Sequence, residues 1–251
     1  MNRFFIDKVG VADAADAKDK YIILNDPAQL HHLRDVLRIK PLELVEIFDS
    51  NGNEYITAVV EIGSEAAKLE VKEKRIPRDQ GVSITVACAI PKKVKMDDIV
   101  DKLTQLGVEC IIPLETERVI VRLDKQKKAE RFERWKKIAL SAVKQSHRSR
   151  LAQINPVSTL RDVFAIADEF DLKLIPTLEG KRKTLKEVID QECKKIKKII
   201  VLIGPEGDFT PGEIDLAKKS GFLPISLGER VLRVDTAAIA VVSFIKLNEA
   251  Y

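Results

Sequence analysis

Apolar and polar residues alternate in blocks along the second half of the chain, and these blocks predict its secondary structure. The clearest apolar block is residues 199–203, mostly β-branched, which is followed at once by Gly-Pro-Glu-Gly at residues 204–207. This pattern predicts a fully buried parallel strand that ends in a tight loop. Thr210 and Glu213, with Pro211 between them, then predict a capping box at the start of a helix.

From residue 82 onward strands and helices are predicted in turn, which is typical of a mostly parallel sheet with helices on both faces. The predicted strands span residues 83–90, 110–114, 153–156, 172–175, 199–203 and 222–226. The predicted helices span residues 96–106, 125–146, 160–170, 185–195, 211–220 and 236–247. Asp235 is the predicted N-cap of the last helix. That helix is apolar on nearly all sides, so we expect it to fill the core or to form a dimer seam.

Residues 1–72 are predicted to form a separate small β domain. Predicted strands span residues 3–6, 21–24, 44–48, 54–62 and 67–71. Asp26 and Pro27 open a predicted helix that passes through leucines 30, 33 and 37. Asn51-Gly52 predicts the turn of a β-hairpin. Residues 72–81 are charged and contain Pro and Gly, which is typical of a linker, so we divide the chain into domains 1–72 and 73–251.

The composition is that of an ordinary globular protein. Of 251 residues, 45% are hydrophobic and 33% are charged, with a net charge of +4. No apolar run reaches the roughly 20 residues of a membrane span, and the N-terminus lacks the apolar core of a signal peptide. The three cysteines form no CxxC pair, which indicates reduced packing residues rather than a metal site or a disulfide framework. We therefore expect a cytoplasmic protein that binds neither metal nor membrane.

Positive charge is concentrated between residues 118 and 150. This stretch holds twelve Lys and Arg residues against three acids, a local balance of +9. Its apolar residues form one helical stripe, so the basic residues are expected to face outward. An individual lysine on such a helix is usually only solvated. As a cluster, however, these charges are typical of a surface that neutralises nucleic-acid phosphates.

Two glycine-containing loops follow predicted strands one helix apart, at residues 204–207 and 227–230, and Pro176-Thr177 ends a third strand in the same way. No Lys-Ser or Lys-Thr follows the first loop, and no G-x-G-x-x-G follows any predicted strand. These absences argue against a Walker phosphate loop and a Rossmann site. The loops are either simple turns or a site at which backbone groups read an adenine edge, with glycines permitting close approach.

The sequences of residues 204–209 and 227–238 resemble the cofactor-binding signature of the ribosomal small-subunit methyltransferase E family. Members are uracil-N3 methyltransferases of 16S ribosomal RNA within the SPOUT superfamily. The likeness extends to residues 3–5, 31–38 and 144–148. It implies an α/β fold in which a PUA-like barrel precedes a SPOUT catalytic domain with a trefoil knot. Because true knots are very rare, the knot depends on the resemblance alone.

The resemblance also implies an activity. A homodimer would transfer a methyl group from S-adenosylmethionine to N3 of a uridine, expected to be uridine 1498, of 16S ribosomal RNA in the small subunit. Two alternatives stay open: a SPOUT methyltransferase that acts on another RNA, such as the ribose 2′-O of tRNA, and a non-catalytic RNA-binding assembly protein. The implied cofactor-binding residues are Pro176, Thr177, Leu202, Ile203, Gly204, Pro205, Glu206, Gly207, Ser226, Leu227, Gly228, Val231, Leu232 and Thr236.

The chemistry of the implied substrate suggests catalytic residues. Uracil N3–H is mostly protonated at neutral pH, so methylation requires loss of the proton or stabilisation of the anion. Arg230 and Arg233 are the candidates for stabilising the anion. Glu206 or Asp208 is a candidate proton acceptor, although either carboxylate could simply anchor its loop. The candidate RNA-binding residues are Arg3, His31, Arg38, Gln145, Ser146 and Arg148.

Overall fold

The computed structural model describes residues 1–7, 21–75, 81–92, 95–119, 123–178, 180–192 and 196–248. The chain divides into two compact units. Unit 1 comprises Met1–Asp79 and His147–Leu151, and unit 2 comprises Gln80–Ser146 and Ala152–Tyr251. The five residues from His147 to Leu151 therefore belong with the N-terminal unit, although the sequence division at residues 72 and 73 assigned them to the second domain.

Unit 1 is built on a five-stranded sheet in the order β1-β3-β4-β5-β2. β1 and β3 are parallel, and the other neighbours are antiparallel. The predicted hairpin between β3 and β4 is confirmed, and Gly52 in its turn has a φ of 83°, which glycine adopts without strain. The strands are β1 (Arg3–Ile6), β2 (Tyr21–Leu24), β3 (Leu44–Asp49), β4 (Glu54–Ile62) and β5 (Ala67–Arg75).

The helix predicted after Asp26 begins as expected and continues differently. α1 spans Pro27–His31, and the Asp26 carboxylate accepts a hydrogen bond from the backbone N–H of Gln29 at 2.8 Å. The chain then continues as a π-helix over His32–Val36. Leu30 and Leu33 are both buried in the core of unit 1. Because both leucines face the core in the observed geometry, their spacing did not distinguish the wider π turn from an α-helix.

Unit 2 contains an eight-stranded sheet in the order β11-β13-β10-β12-β6-β7-β8, with β9 also paired to β7. Every strand pair in it is parallel, so the predicted mostly parallel sheet is confirmed. The strands are β6 (Ser83–Ala89), β7 (Cys110–Glu115), β8 (Gln153–Ile154), β9 (Ser158–Thr159), β10 (Leu172–Pro176), β11 (Lys183–Thr184), β12 (Lys198–Ile203) and β13 (Leu223–Ser226).

The helices of unit 2 follow the predicted order, with differences at their ends. The helix predicted for residues 160–170 ends early and is followed by a 3₁₀ turn at Ala167–Glu169. The helix predicted to reach residue 195 is described only to Glu192, since residues 193–195 lie outside the described ranges. The helices are α2 (Lys95–Gln105), α3 (Lys125–Gln145), α4 (Leu160–Ala165), α5 (Leu185–Glu192), α6 (Pro211–Lys219) and α7 (Val234–Asn248).

One predicted helix cap is confirmed and another is wrong. At α6 the Thr210 hydroxyl accepts from the N–H of Glu213, and the Glu213 carboxylate accepts from the N–H of Thr210. At α7 the predicted N-cap Asp235 instead lies inside the first turn, because the helix begins at Val234. The N–H of Ala237 already donates to the carbonyl of Arg233 at 2.8 Å.

α7 buries one face only. Val234, Ala238, Val241, Val242 and Ile245 are buried, whereas Leu247 is 79% exposed. Within the described ranges, none of the helices combines the length and apolar character needed to cross a bilayer. The trefoil knot stays a prediction of the resemblance.

Candidate active site

Three of the strands that end in predicted ligand-binding loops are neighbours in the sheet of unit 2. β13 pairs with β10 and β10 pairs with β12, all in parallel. Their carboxyl ends therefore open at the same edge of the sheet, which is where open α/β sheets bind ligands. The loops after these strands therefore lie together, as a single ligand site built from all three requires.

A cleft with an empty volume of about 580 Å³, counted to its open mouth, lies among these loops. Most of the lining residues are apolar or glycine. The charged residues among them are two arginines, Arg182 and Arg230, and two carboxylates, Glu206 and Asp208. The lining residues are Pro176, Thr177, Leu178, Arg182, Ile203, Gly204, Pro205, Glu206, Asp208, Leu227, Gly228, Arg230, Leu232, Val234 and Ala237.

Asp208 links two of the loops. One of its carboxylate oxygens accepts from the backbone N–H of Leu178 at 2.9 Å, and the other accepts from the N–H of Phe209 at 2.8 Å. Asp208 has a φ of 59°, a left-handed conformation that Asp tolerates better than most residues. Since both oxygens are engaged by backbone donors, the geometry favours loop anchoring over proton transfer for Asp208.

Two glycines of the cleft occupy positions where another residue would be strained, for different reasons. A Cβ atom on Gly204 would lie 3.0 Å from two ring carbons of Phe209, which is buried. Gly228 has a φ of 111°, a conformation that side chains other than glycine strongly disfavour. Gly207 differs, because a Cβ there would meet only the Cδ of Arg118 at an ordinary distance of 3.7 Å.

Most of the predicted cofactor-binding residues line the cleft. Those that do are Pro176, Thr177, Ile203, Gly204, Pro205, Glu206, Leu227, Gly228 and Leu232. The predicted residues outside the lining are Leu202, Gly207, Ser226, Val231 and Thr236. Leu202 is fully buried. Because adjacent residues of a strand point to opposite faces of the sheet, its side chain points away from the face of Ile203, which lines the cleft. Val231 is 70% exposed, and the Ser226 hydroxyl accepts from the N–H of Gly228 at 3.3 Å.

Four lining residues were missed by the sequence analysis altogether. Leu178 and Arg182 belong to the loop after β10, where Arg182 closes the loop by donating to the carbonyl of Thr177 at 2.7 Å. The basic residues at 181–183 after a predicted strand end were a signal for this loop. Val234 and Ala237 lie three residues apart on α7, a spacing that places both side chains on one helix face.

The three candidate catalytic residues are not all brought together. Arg230 and Glu206 line the cleft, whereas Arg233 is exposed outside the lining. Glu206 accepts from the backbone N–H of Lys92 at 3.3 Å.

Burial raises the pKa of the Cys88 thiol above its ordinary range, and the charges of Asp235 and Glu206 add to this effect. One Asp235 oxygen is buried and has no hydrogen-bond partner among the described residues.

Two of the candidate RNA-binding residues in unit 1 are buried against each other. The Arg3 guanidinium donates to the carbonyl of Arg148 at 3.1 Å and to Glu54 at 2.8 Å, and it forms an ion pair with Glu46 at 3.1 Å. Ser149 also donates to Glu54 at 2.6 Å. Arg3 is only 8% exposed, so it ties residues 147–151 to the sheet rather than presenting its charge to solvent.

The other candidates in unit 1, His31 and Arg38, are exposed. His31 contacts the carboxylate of Asp35 at 2.7 Å across one turn. The pKa of Asp35 falls to about 2, chiefly because Arg34 hydrogen-bonds to the carboxylate and secondly because His31 does. Arg38 has a φ of 52°, just after the π-helix.

In unit 2, helix α3 carries the predicted basic residues. Its apolar stripe is anchored by Trp135, which is fully buried and donates its indole N–H to Asp97 at 3.1 Å. Gln145 and Ser146 stand at its C-terminal end. Part of its positive charge is compensated by ion pairs, which join Lys127 to Asp124, Lys128 to Glu115, Arg134 to Asp97 and Lys136 to Glu133. Asp124 and Glu133 are already counted in the local balance of +9, whereas Glu115 and Asp97 lie outside residues 118–150 and lower the net charge of this face further.

Two models of known protein families match the chain. Residues 78–246 match the model of the RNA methyltransferase domain, and residues 24–72 match that of the RNA methyltransferase PUA domain. The first match covers more than half of the chain and contains every strand that borders the cleft.

Relatives and a solved structure match over most of the chain. The ribosomal RNA small subunit methyltransferase E of Synechocystis is 31% identical over 84% of this chain and 68% of its own. The protein of the same name from Mesomycoplasma hyopneumoniae is 30% identical over 95% of this chain and 96% of its own. A crystal structure of the Neisseria gonorrhoeae protein of that name, bound to S-adenosylmethionine, is 27% identical, with a TM-score of 0.81 over 98% of this chain and 97% of that one.

Proposed function

We propose that this chain, which belongs to the ribosomal RNA small subunit methyltransferase E family of RNA methyltransferases, methylates 16S ribosomal RNA. The methyl donor is S-adenosylmethionine, and the acceptor is N3 of one uridine, expected to be uridine 1498. The observation that carries this proposal is the cleft at the carboxyl ends of β10, β12 and β13. It lies within the region that matches the RNA methyltransferase domain.

The residues of the cleft fit such a donor. Leu227, Leu232 and Ala237 offer apolar surface for a flat base, while Gly204 lets the loop backbone pack closely against the buried ring of Phe209 behind it. Backbone N–H and C=O groups at the strand ends are suited to read the edge of an adenine. S-adenosylmethionine, when bound, supplies a methyl group on a positively charged sulfur, from which direct transfer to a nitrogen requires no metal.

Arg230 is the residue of this chain that we assign to the uracil. Its fixed positive charge at the cleft favours the anion that forms when N3 loses its proton. Glu206, also at the cleft, is the proposed proton acceptor. We assign Arg233, which is exposed outside the lining, to the RNA next to the target base. The base must leave its stack to expose N3, which is easiest in single-stranded or splayed RNA.

We propose a division of labour in which residues 1–72 help to dock RNA and residues 73–251 carry the catalytic cleft. The exposed His31 and Arg38 of the first unit, and the exposed Gln145 at the C-terminal end of α3, are the proposed RNA contacts. The hydroxyl oxygen of Ser146 is buried, so Ser146 is not assigned to the RNA. Phosphate neutralisation by such residues makes binding weaker as salt increases. The substrate is expected in the cytoplasm, as ribosomal RNA within the small subunit.

We also propose that the protein acts as a homodimer. α7 has its second face turned away from the core, where Ala240 and Leu247 are exposed and Phe244 is half-buried. An apolar strip of this kind on a helix is suited to pair with its own copy by two-fold symmetry. Sedimentation of the wild-type protein and of Leu247→Asp tests the pairing: a wild-type monomer at micromolar concentration would contradict it.

The activity can be tested with deuterium-labelled S-adenosylmethionine. The purified protein is incubated with small subunits and with naked 16S RNA from a strain that lacks the methylation, and the RNA is digested and mapped by mass spectrometry. Label on uracil N3 of one nucleotide is expected. Label on a tRNA ribose would favour the other methyltransferase alternative. Calorimetry that shows no cofactor binding would favour an assembly protein.

A pair of variants tests the assignment of Arg230. Arg230→Ala should lose about 10²-fold or more in methylation rate, the usual cost of removing one preorganised charge-stabilising group, while retaining most of its cofactor affinity. Arg161→Ala removes the same charge from the exposed side of α4 and should methylate normally. Equal rates in the two variants would remove Arg230 from the mechanism.

A further inference from the structure

Arg118 forms hydrogen bonds to the loop after β12, although Arg118 itself does not line the cleft. It lies between β7 and helix α3, and its Nη1 donates to the carbonyl of Gly207 at 2.6 Å. The same atom lies 3.5 Å from the carbonyl of Phe209. These carbonyls flank Asp208, the residue in the left-handed conformation. Arg118 therefore holds the backbone on both sides of the one strained position in this loop.

A second contact from the adjacent residue holds the end of the same loop. The backbone N–H of Glu117 donates to the Glu213 carboxylate at 2.9 Å. The other oxygen of Glu213 accepts from the N–H of Thr210 at 2.8 Å, which closes the capping box of α6. Glu213 is 5% exposed. Two consecutive residues after β7 thus secure both ends of residues 207–213.

The turn at residues 207–209 is held from opposite sides. From the loop after β10, the N–H of Leu178 donates to the Asp208 carboxylate. From the segment after β7, Arg118 donates to the carbonyls of Gly207 and Phe209. Hydrogen bonds with a charged partner are about twice as strong as neutral ones. A loop that is already ordered before a ligand arrives does not have to be ordered by it, so preorganisation raises affinity without new ligand contacts.

We propose that Arg118 is a positioning residue for the cofactor. It acts through the carbonyls of Gly207 and Phe209, and it keeps the loop after β12 in the conformation that binds S-adenosylmethionine. This inference rests on the proposed function, in which the cleft holds that molecule.

Two substitutions and a control test this role. In Arg118→Gln the charge is removed, whereas Arg118→Lys keeps a charge that can reach one carbonyl at a time. Arg161→Ala on α4 is the control for loss of a surface charge in unit 2. Calorimetry without RNA should show cofactor affinity about tenfold weaker in Arg118→Gln, since hydrogen bonds to charged groups contribute on that scale. Arg118→Lys should recover part of the loss, and the control should match wild type.

Kinetics and hydrogen exchange distinguish positioning from other roles. In Arg118→Gln we expect KM for the cofactor to rise by the same factor, with kcat at saturating cofactor within about twofold of wild type, because the residue touches no reacting atom. Amide exchange of residues 204–210 should be faster than in wild type and in the control, with no ligand present. Unchanged exchange in this loop would overturn the inference whatever the cleft binds.

The remaining outcomes separate the inference from the proposed function. If the wild-type protein binds S-adenosylmethionine and Arg118→Gln binds it equally well, the positioning role is wrong and the function stands. A loss in kcat with unchanged KM for the cofactor would also overturn it, because Arg118 would then act on the RNA. If the wild-type protein binds no S-adenosylmethionine, the proposed function fails and only the exchange result bears on Arg118.

Discussion

The Asp208 carboxylate accepts the backbone N–H of Leu178 at 2.9 Å and thereby joins two loops that lie thirty residues apart in the chain. Leu178 follows β10 and Asp208 follows β12, and these strands are neighbours in the sheet. The second carboxylate oxygen accepts a hydrogen bond from the N–H of Phe209 at 2.8 Å. One side chain therefore fixes the mutual position of two walls of the cleft.

We expect the free energy of unfolding of Asp208 variants to follow the number of side-chain hydrogen-bond acceptors that they retain. Asp208→Asn keeps one side-chain oxygen and tolerates a positive φ, whereas Asp208→Ala keeps neither property. Asp208→Ala should lower the free energy of unfolding by about 2–3 kcal/mol, because a charged acceptor is lost and the backbone is strained. Asp208→Asn should lie between Asp208→Ala and wild type. Urea unfolding measures the order, and a stable Asp208→Ala would contradict the anchoring role.

Gly204 and Gly207 should respond differently to the same substitution. A methyl group on Gly204 would lie 3.0 Å from the buried ring of Phe209, whereas one on Gly207 meets only the flexible Cδ of Arg118 at 3.7 Å. Gly204→Ala should cost about 1–3 kcal/mol through overpacking and should weaken cofactor binding. Gly207→Ala should stay within about 0.5 kcal/mol of wild type. The opposite ranking in thermal unfolding and calorimetry would show that the loop is arranged differently.

The pKa of Asp35 should be about 2, against its ordinary value of 3.8. Carbon-detected NMR titration measures it directly. Because the folded-state pKa is lowered, the stabilisation by Arg34 and His31 is present above pH 4 and is lost as the pH falls from about 4 through 2. Arg34→Gln should raise the pKa of Asp35 more than His31→Gln does. A wild-type value near 3.8 would mean that these pairs do not persist in solution.

Two cysteine thiols should resist modification by a disulfide reagent in the native protein. Burial raises the pKa of Cys88 above its ordinary range and that of Cys110 to about 12. Since the thiolate is the reactive form, neither should react with Ellman's reagent at pH 8 within minutes. The test uses a Cys193→Ser background, and denaturant provides the control in which both thiols react. Rapid reaction of either thiol in the native protein would contradict its burial.

Features that depend on neighbours along the chain were predictable from the sequence. The capping box of Thr210 and Glu213, the glycine at the hairpin turn and the alternation of strands and helices in unit 2 are all local patterns, and the structure confirms them. The same patterns indicated that the predicted strands 172–175, 199–203 and 222–226 end in loops suited to ligands. Local propensity, steric freedom and hydrophobic periodicity act over a few residues, which is why they can be recognised without coordinates.

Some local features escaped the sequence because two geometries satisfy the same pattern. The buried leucines after Asp26 suit both an α-helix and the observed π-helix at His32–Val36. Asp235 has the residue type of an N-cap, yet packing of Val234 starts α7 two residues before the predicted start. Tertiary packing decided both cases, since the backbone differences involved are small compared with the burial of the neighbouring apolar side chains.

The sequence by itself determined all the strands except the two-residue β9 and β11, the turns that follow the predicted strands, and where positive charge collects. Only the tertiary structure decided that β13, β10 and β12 are neighbours, that residues 147–151 join the first unit, and that Arg118 holds the turn at residues 207–209. These relationships connect residues from about 30 to more than 140 positions apart. They depend on which apolar faces pack together when the whole chain folds. The hydrophobic periodicity of one segment does not show which other segment it will pack against.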